Sequence, residues 1–341
     1  MSVLKDVIIE LGLSKEQLKD KDIQKFVFDV VLRKQSNDWY QYWNGNGYIE
    51  FNKTDGTLIT TVLDNKEFNP EFPCNIDLNI SNKCKVGCKF CYQGCTINGP
   101  QANIKKFIRN KNSFLYSIHE GTELAINGNE PFHEDLLMLL RFCKRRNIIA
   151  NLTVNELTLI LHKEEIEDML KKNLIHGIGI SPNMWSVELL EFCKKHPTAV
   201  IHTIAGITTE QQYRCLYDQD VKILILGYKN FGRGEDYFEA HDGLVSLNIG
   251  WLKNNVKDMI NHFKVLSFDN LAIDQLNPKS FLTKKEWEKF YRGDDGNHTF
   301  FIDLVNETFA KNSVQPKENH KTLMKDVRDM LKMIKEDKIN E

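Results

Sequence analysis

Short apolar runs and helical periodicities alternate through the middle of the chain. Runs typical of buried strands lie at 74–80, 122–128, 148–154, 176–182, 198–205 and 221–227. The segments between them have one apolar helical face; in 133–146 that face consists of Leu136, Leu139, Leu140 and Cys143. Strands separated by helices predict βαβ units and a parallel sheet. We therefore predict an α/β fold whose core is a partial (β/α)6, TIM-like barrel.

The two ends of the chain have other patterns. Residues 1–73 carry a capping box at Ser14 and Gln17, an apolar helical face, and two β-like runs around Asp55 and Gly56 that predict a hairpin. The last hundred residues, roughly, carry an amphipathic helical pattern and strands predicted at 268–276, 300–305 and 308–310. We predict an N-terminal helix-plus-β-hairpin region, a barrel core and a C-terminal α+β extension, over 1–73, 74–240 and 241–341.

Composition and charge give no overall sign of a nucleic-acid or membrane partner. The formal net charge is −2 and 27% of residues are charged, so no overall field favours nucleic acid or an anionic membrane. The first residues lack the pattern of a secretory signal, and charges interrupt every apolar run before membrane-spanning length. Eight cysteines in such a chain predict a reducing, cytoplasmic location without a membrane partner.

The most informative motif consists of Cys84, Cys88 and Cys91, which have C-x3-C-x2-C spacing. Three thiolates at this spacing can bind three irons of a [4Fe–4S] cluster and leave the fourth iron open to a ligand. Cys95 follows at C-x3-C, so a four-thiolate zinc site and a closed, ferredoxin-like cluster are the alternatives. In those cases the chain is an electron-transfer or zinc structural protein rather than an enzyme.

The cysteine stretch resembles the radical S-adenosylmethionine (SAM) superfamily, whose signature is C-x3-C-x-Φ-C with an aromatic Φ, here Phe90. A strand pattern and a short polar loop precede the cysteines, as in that superfamily. A second segment resembles the Gly-Gly-Glu-Pro run whose backbone meets the amino group of SAM; it reads Gly128, Asn129, Glu130, Pro131. Asn129 replaces the second glycine, and asparagine is one of the few residues that tolerate positive φ.

The resemblance implies a reaction and partners. It implies one [4Fe–4S] cluster on the three cysteines, an external electron donor such as flavodoxin or ferredoxin, and reductive cleavage of SAM to a 5′-deoxyadenosyl radical that abstracts hydrogen from a substrate. The N-terminal region resembles a winged helix or the peptide-recognition module of some members. We expect a peptide or protein substrate, with a nucleotide or nucleic acid as the alternative. No cysteine follows Cys215, so the extra clusters of many peptide-modifying members are not expected.

Further contacts with SAM are implied at the ends of the predicted strands. Asn155 ends the third strand, and Ser181 and Asn183 end the fourth, where the resemblance implies contacts with the ribose or carboxylate. Ile204 on the fifth strand and Tyr228 after the sixth are expected to contact the adenine. The alternative for each of them is a strand-end turn with solvated polar groups.

Two weaker candidates for catalysis complete the set. Cys95, beside the cluster motif, could donate a hydrogen atom from its thiol, and the alternative is an incidental loop cysteine. Arg233 stands between two glycines after the sixth strand, where its planar fork could bind a carboxylate or phosphate. The alternative for Arg233 is a surface loop in which the side chain faces water.

Overall fold

The computed structural model describes residues 2–36, 38–63 and 67–340. Two compact units divide the chain, Met1–Phe68 and Asn69–Glu341, and each has a hydrophobic core of its own. The predicted boundaries after residues 73 and 240 stay predictions. No helix in the described part of the chain combines the length and the apolar character needed to cross a membrane.

In its described residues, the first unit contains two α-helices and a three-stranded antiparallel sheet. Its elements are α1 (Ser2–Glu10), α2 (Lys21–Lys34), β1 (Trp39–Asn44), β2 (Gly47–Asn52) and β3 (Leu58–Val62), with the strand order β1-β2-β3. Asp20 begins α2 by accepting the backbone N–H groups of Asp22 and Ile23. The predicted hairpin is present as β2 and β3, and Ser14 and Gln17 form the predicted reciprocal hydrogen bonds.

A ten-stranded, mostly parallel sheet forms the centre of the second unit. Its strands are β4 (Asn75–Asn79), β5 (Glu123–Gly128), β6 (Ile149–Asn155), β7 (Gly177–Ser181), β8 (Ala199–Ile204), β9 (Lys222–Leu226), β10 (Val265–Phe268), β11 (Thr299–Asp303), β12 (Thr308–Ala310) and β13 (Lys321–Thr322). Their order is β10-β9-β8-β7-β6-β5-β4-β11-β12-β13, parallel from β10 to β11 and antiparallel beyond. The α/β class and the six strands predicted for the core are confirmed. Closure of this sheet into a partial barrel stays a prediction.

Helices separate the successive parallel strands of this sheet. They are α3 (Ile104–Arg109), α4 (Leu136–Arg145), α5 (Glu156–Leu161), α6 (Lys163–Lys171), α7 (Val187–Lys195), α8 (Glu210–Leu216), α9 (Arg233–Met259), α10 (Asn270–Leu276) and α11 (Lys284–Phe290). A further helix, α12 (Val327–Asn340), follows the last strand. Short 3-10 turns lie at Gln17–Lys19, Phe114–Tyr116, Ile260–His262, Pro278–Phe281 and Lys317–Asn319. The long helix α9 is kinked at His241, where φ is −141°. The predicted strand pair in 300–310 and the final amphipathic helix are confirmed as β11, β12 and α12.

One predicted strand, at 268–276, is wrong. The strand in this region is β10, which ends at Phe268, and residues from Asn270 onward form the helix α10. Asp269 starts that helix because its carboxylate accepts the backbone N–H of Ala272 at 2.8 Å. Ala272 and Leu276 are then buried four residues apart on one helical face, a spacing typical of a helix and not of a strand.

Candidate functional site

The loop after β4 that carries the cysteines (residues 80–96, the cysteine loop) lies at one edge of the second unit's sheet. The other predicted site residues lie at the same edge. The cysteines follow the end of β4, and the Gly128 segment, Asn155 and Ser181 end β5, β6 and β7. Because these strands are parallel neighbours, their carboxyl ends meet along the same edge, which is where α/β proteins usually bind ligands. The fold therefore brings together residues that are separated by long stretches of sequence.

Amides from the end of β5 hold the start of the cysteine loop. Asn127 donates to the carbonyl of Ser81 at 2.8 Å and accepts the N–H of Ile80 at 2.7 Å. Asn129 donates from its side chain to the same Ser81 carbonyl at 2.6 Å and contacts the sulfur of Cys95 at 3.7 Å. Asn129 does not adopt positive φ, so this position does not need the left-handed backbone that asparagine tolerates. Its side chain, rather than a special backbone conformation, connects β5 to the cysteine loop.

Glu130 joins the same two segments through a buried ionic contact. Its side chain is 2% exposed, and one carboxylate oxygen lies 3.0 Å from the Nζ of Lys85 in the cysteine loop. The other oxygen lies 3.0 Å from the Nε2 of His162. The carbonyl of Glu130 also accepts the backbone N–H of Lys85 at 2.8 Å, and the Glu130–Pro131 peptide is cis. Lys85 and His162 carried no recognisable sequence signal for this role.

The thiols of the cysteine loop are close enough to influence one another. Burial raises the pKa of the Cys88 thiol, and the thiols of Cys91 and Cys84 raise it further. A hydrogen bond with the Cys95 thiol lowers the pKa of Cys91 to about 6 and raises that of Cys95. Cys95 is 5% exposed, so it belongs to the thiol group rather than to the surface.

The donor set fits a metal centre by its chemistry. Thiolates are the ligands of iron–sulfur clusters and of structural zinc. Across residues 2–36, 38–63 and 67–340, no three His, Cys, Asp or Glu side chains already have the arrangement of a finished metal site. The case for a metal centre here therefore rests on the chemistry of these thiols.

Arg233 contacts the cysteine loop from the beginning of α9. Its Nε donates to the carbonyl of Cys88 at 3.1 Å, and a terminal nitrogen donates to the carbonyl of Cys95 at 2.9 Å. Phe90 packs edge-on against Tyr237 of the same helix, with 5.9 Å between ring centroids. The carboxylate or phosphate clamp suggested for Arg233 stays a prediction, but the side chain already bridges two carbonyls and does not simply face water.

The remaining predicted SAM contacts have local structural roles at the strand ends. Asn155 accepts the N–H of Leu157 at 2.9 Å and so caps α5, while the side chain of Asn183 is exposed. The side chain of Gln275 accepts the backbone N–H of Tyr228 at 2.8 Å and donates to its carbonyl at 2.9 Å. Ser181 and Ile204 end their strands as expected. Binding of SAM by these residues stays a prediction.

Glu156 is a residue that the sequence analysis missed. It is fully buried, and its carboxylate accepts four consecutive backbone N–H groups, from residues 183 to 186, at 2.6–2.9 Å. These hydrogen bonds outweigh the effect of burial and lower the pKa of Glu156. The loop after β7, which includes Asn183, is therefore shaped by this one side chain. In the sequence Glu156 looks like an ordinary acidic residue in the first turn of a helix.

The sheet presents a polar face next to the cysteine loop. On β4, Asp77 alternates with the buried Ile76 and Leu78, and Lys229 after β9 lies over the ring of Tyr92 at 4.2 Å. The imidazole of His202 on β8 packs directly on Gly179, since a Cβ added to Gly179 would lie 2.1 Å from the ring. Burial, with a smaller effect of Lys229, lowers the pKa of His202 to about 4. A neutral imidazole and a cation therefore line the face that adjoins the site.

Comparison with known proteins supports the fold. No protein-family model matches the chain, and no curated protein does. The crystal structure of SuiB from Streptococcus suis is similar, with a TM-score of 0.50 and 13% sequence identity. The match covers 88% of this chain and 87% of that chain. The likeness is one of fold.

The arrangement has a defined chemical capacity. Three thiols on one loop supply soft ligands, and the loop is fixed from two sides by the β5 segment and by the start of α9. The neighbouring strand ends and the polar face offer hydrogen-bonding groups for a polar ligand beside the thiols. Such a site can bind a metal centre together with a small polar molecule.

Proposed function

We propose that the chain is a radical SAM enzyme that reductively cleaves SAM at a three-cysteine [4Fe–4S] cluster and abstracts hydrogen from a substrate. The observation that carries the proposal is the position of the C-x3-C-x2-C loop. It lies at the carboxyl edge of a parallel sheet and is hydrogen-bonded to the Gly128–Pro131 segment. The likeness to SuiB supports the fold but does not identify the reaction.

Each group of residues has a proposed task. Cys84, Cys88 and Cys91 would hold the cluster, which, when bound with SAM, supplies the electron for carbon–sulfur cleavage to a 5′-deoxyadenosyl radical. Glu130 and Asn129 hold the loop against β5, and the strand ends would orient SAM. The polar face of the sheet would exclude bulk water and place the substrate hydrogen near the site.

The proposed partners follow from this chemistry. The electron would come from a flavodoxin or ferredoxin in a reducing cytoplasm. We propose a peptide or protein substrate because the first unit, with two helices and a three-stranded sheet, has the elements expected of a peptide-recognition module. Modification of a nucleotide or nucleic acid is the alternative within the same chemistry.

A second candidate function is favoured by one observation. The Cys95 side chain is buried and close enough to Cys91 to lower the pKa of that thiol, as expected of a fourth ligand. A four-thiolate site would make the chain an iron–sulfur electron-transfer protein or a zinc protein. The two functions differ in whether Cys95 is needed.

Anaerobic cluster reconstitution separates these functions. Iron, sulfide, zinc and the 5′-deoxyadenosine formed with SAM and a reductant are measured for the unsubstituted chain, Cys88→Ala and Cys95→Ala. Cys215→Ala is the control, because Cys215 is exposed and outside the loop. The radical SAM proposal expects 5′-deoxyadenosine from every protein except Cys88→Ala.

Three other results would contradict the radical SAM proposal. Loss of the metal centre in Cys95→Ala, without 5′-deoxyadenosine from the unsubstituted chain, would identify a four-thiolate protein. Tight binding of zinc in place of iron would support the structural alternative. A cluster that forms normally in Cys88→Ala would exclude the proposed ligand set.

A further inference from the structure

The contact between Arg233 and the cysteine loop has features that a surface arginine lacks. The guanidinium bridges the carbonyls of Cys88 and Cys95, at 3.1 and 2.9 Å, on either side of Cys91. These carbonyls lie 145 and 138 positions earlier in the chain. One planar side chain therefore closes the loop across the segment that carries two of the proposed cluster ligands.

The backbone around Arg233 is shaped for this close approach. Gly232 has φ of +53°, and a Cβ there would lie 2.5 Å from the carbonyl oxygen of Tyr92. A Cβ on Gly234 would lie 2.2 Å from the carbonyl oxygen of Lys229. Gly232 thus allows the first turn of α9 to pack directly on the loop, whereas Gly234 accommodates the carbonyl of Lys229 just before that turn.

We propose that Arg233 is a positioning residue that holds the cysteine loop closed and makes a cluster bound there easier to reduce. This inference rests on the proposed function for its second half, whereas the first half concerns the protein alone. It assigns Arg233 to the metal centre instead of to a substrate carboxylate or phosphate.

A fixed positive charge beside a cluster shifts its reduction potential in one direction. A cluster gains negative charge when it is reduced, so a fixed cation nearby stabilises the reduced form and raises the reduction potential. Arginine keeps its charge at any ordinary pH and offers several N–H donors in one plane. Lysine keeps the charge but is a single point donor, so it cannot bridge both carbonyls in the same way.

Two substitutions separate the charge from the bridge. Arg233→Lys retains the charge and loses the bridge, and Arg233→Gln loses both. Arg214→Gln is the control, because Arg214 is exposed on α8, pairs with Glu210 on the same helix, and is not part of the contacts with the cysteine loop. The first measurement is hydrogen–deuterium exchange of residues 84–96 in protein without a cluster. The second is a redox titration of the reconstituted cluster without SAM.

The expected results differ between the variants. In both Arg233 variants the amides of residues 84–96 should exchange at least tenfold faster than in the unsubstituted chain. In the Arg214→Gln control their exchange should be unchanged. The reduction equilibrium should shift at least tenfold toward the oxidised cluster in Arg233→Gln, which is 59 mV for one electron. In Arg233→Lys it should shift less than threefold.

Each part of the proposal can fail separately from the proposed function. Unchanged exchange in both Arg233 variants would overturn the positioning role, whether or not a cluster forms. A cluster with the same potential in Arg233→Gln would overturn the electrostatic role. An unsubstituted chain that binds no cluster would overturn the proposed function and the electrostatic role together, and the exchange measurement would still decide the positioning role.

Discussion

Replacement of Glu156 by glutamine tests how one buried carboxylate shapes the site. In the structure one oxygen accepts the N–H groups of Asn183, Met184 and Trp185, and the other accepts that of Ser186 at 2.7 Å. A glutamine can accept with only one oxygen, so its NH2 group would face at least one backbone N–H. An unsatisfied buried donor costs about 1–3 kcal/mol, so we expect Glu156→Gln to lower the free energy of unfolding by about 2 kcal/mol.

The pH dependence of this loss gives a sharper test than its size. Because the folded protein lowers the pKa of Glu156, the folded state favours the ionised carboxylate. The resulting stability is therefore fully present above the unfolded pKa of about 4.3 and is lost as pH falls through the lower folded value. The difference between Glu156→Gln and the unsubstituted chain should accordingly be large at pH 7 and shrink below about pH 4.

Urea unfolding at a series of pH values measures both effects. Glu164→Gln is the matched control, because Glu164 is exposed on the next helix and its substitution should change stability by less than about 0.5 kcal/mol. Slower hydrogen exchange at 183–186 in the unsubstituted chain should accompany the stability difference. A loss that is equal at pH 3 and pH 7 would refute the assignment of the effect to the ionised carboxylate.

Two further substitutions test the contacts that fix the cysteine loop. Gly232→Ala should destabilise the chain by about 1–3 kcal/mol, because φ is +53° and the new Cβ meets the carbonyl of Tyr92. The control is Gly243→Ala, which puts a Cβ where nothing lies within 4 Å and should be neutral or stabilising in the same urea assay. Glu130→Gln should lower the free energy of unfolding by about 1–3 kcal/mol and make the cysteine loop more sensitive to protease. Glu134, which is 80% exposed, supplies the control, since Glu134→Gln should change neither. Equal protease sensitivity of the two variants would contradict the role of Glu130.

The strands of the core were predictable because each has a local pattern. Ile76 and Leu78 alternate with polar residues on β4, and such alternation arises whenever one face of a strand is buried. The strand predicted at 268–276 failed because Asp269 is both a plausible strand residue and a helix cap, and only the structure shows that it accepts the N–H of Ala272. Short apolar segments remain ambiguous between the two periods.

The candidate site was predictable only where its residues are close in sequence. The cysteine spacing stands within eight residues, from Cys84 to Cys91, so the motif was visible. The contact of Arg233 with Cys88 spans 145 residues, and that of Asn79 with Asp303 spans 224. No local pattern encodes a hydrogen bond over such a distance, because it depends on which strands become neighbours in the sheet.

These long-range contacts have a common physical form. Arg233 binds backbone carbonyls of the cysteine loop, Glu156 binds backbone N–H groups after β7, and Asn127 binds both kinds of group beside Ser81. Loops lack the regular backbone hydrogen bonds of strands and helices, so their polar groups must be satisfied by side chains or water. Buried side chains that meet this need also select one loop conformation over others. Substitution of these side chains should therefore alter the candidate site more than it alters the sheet, whose core consists of apolar residues.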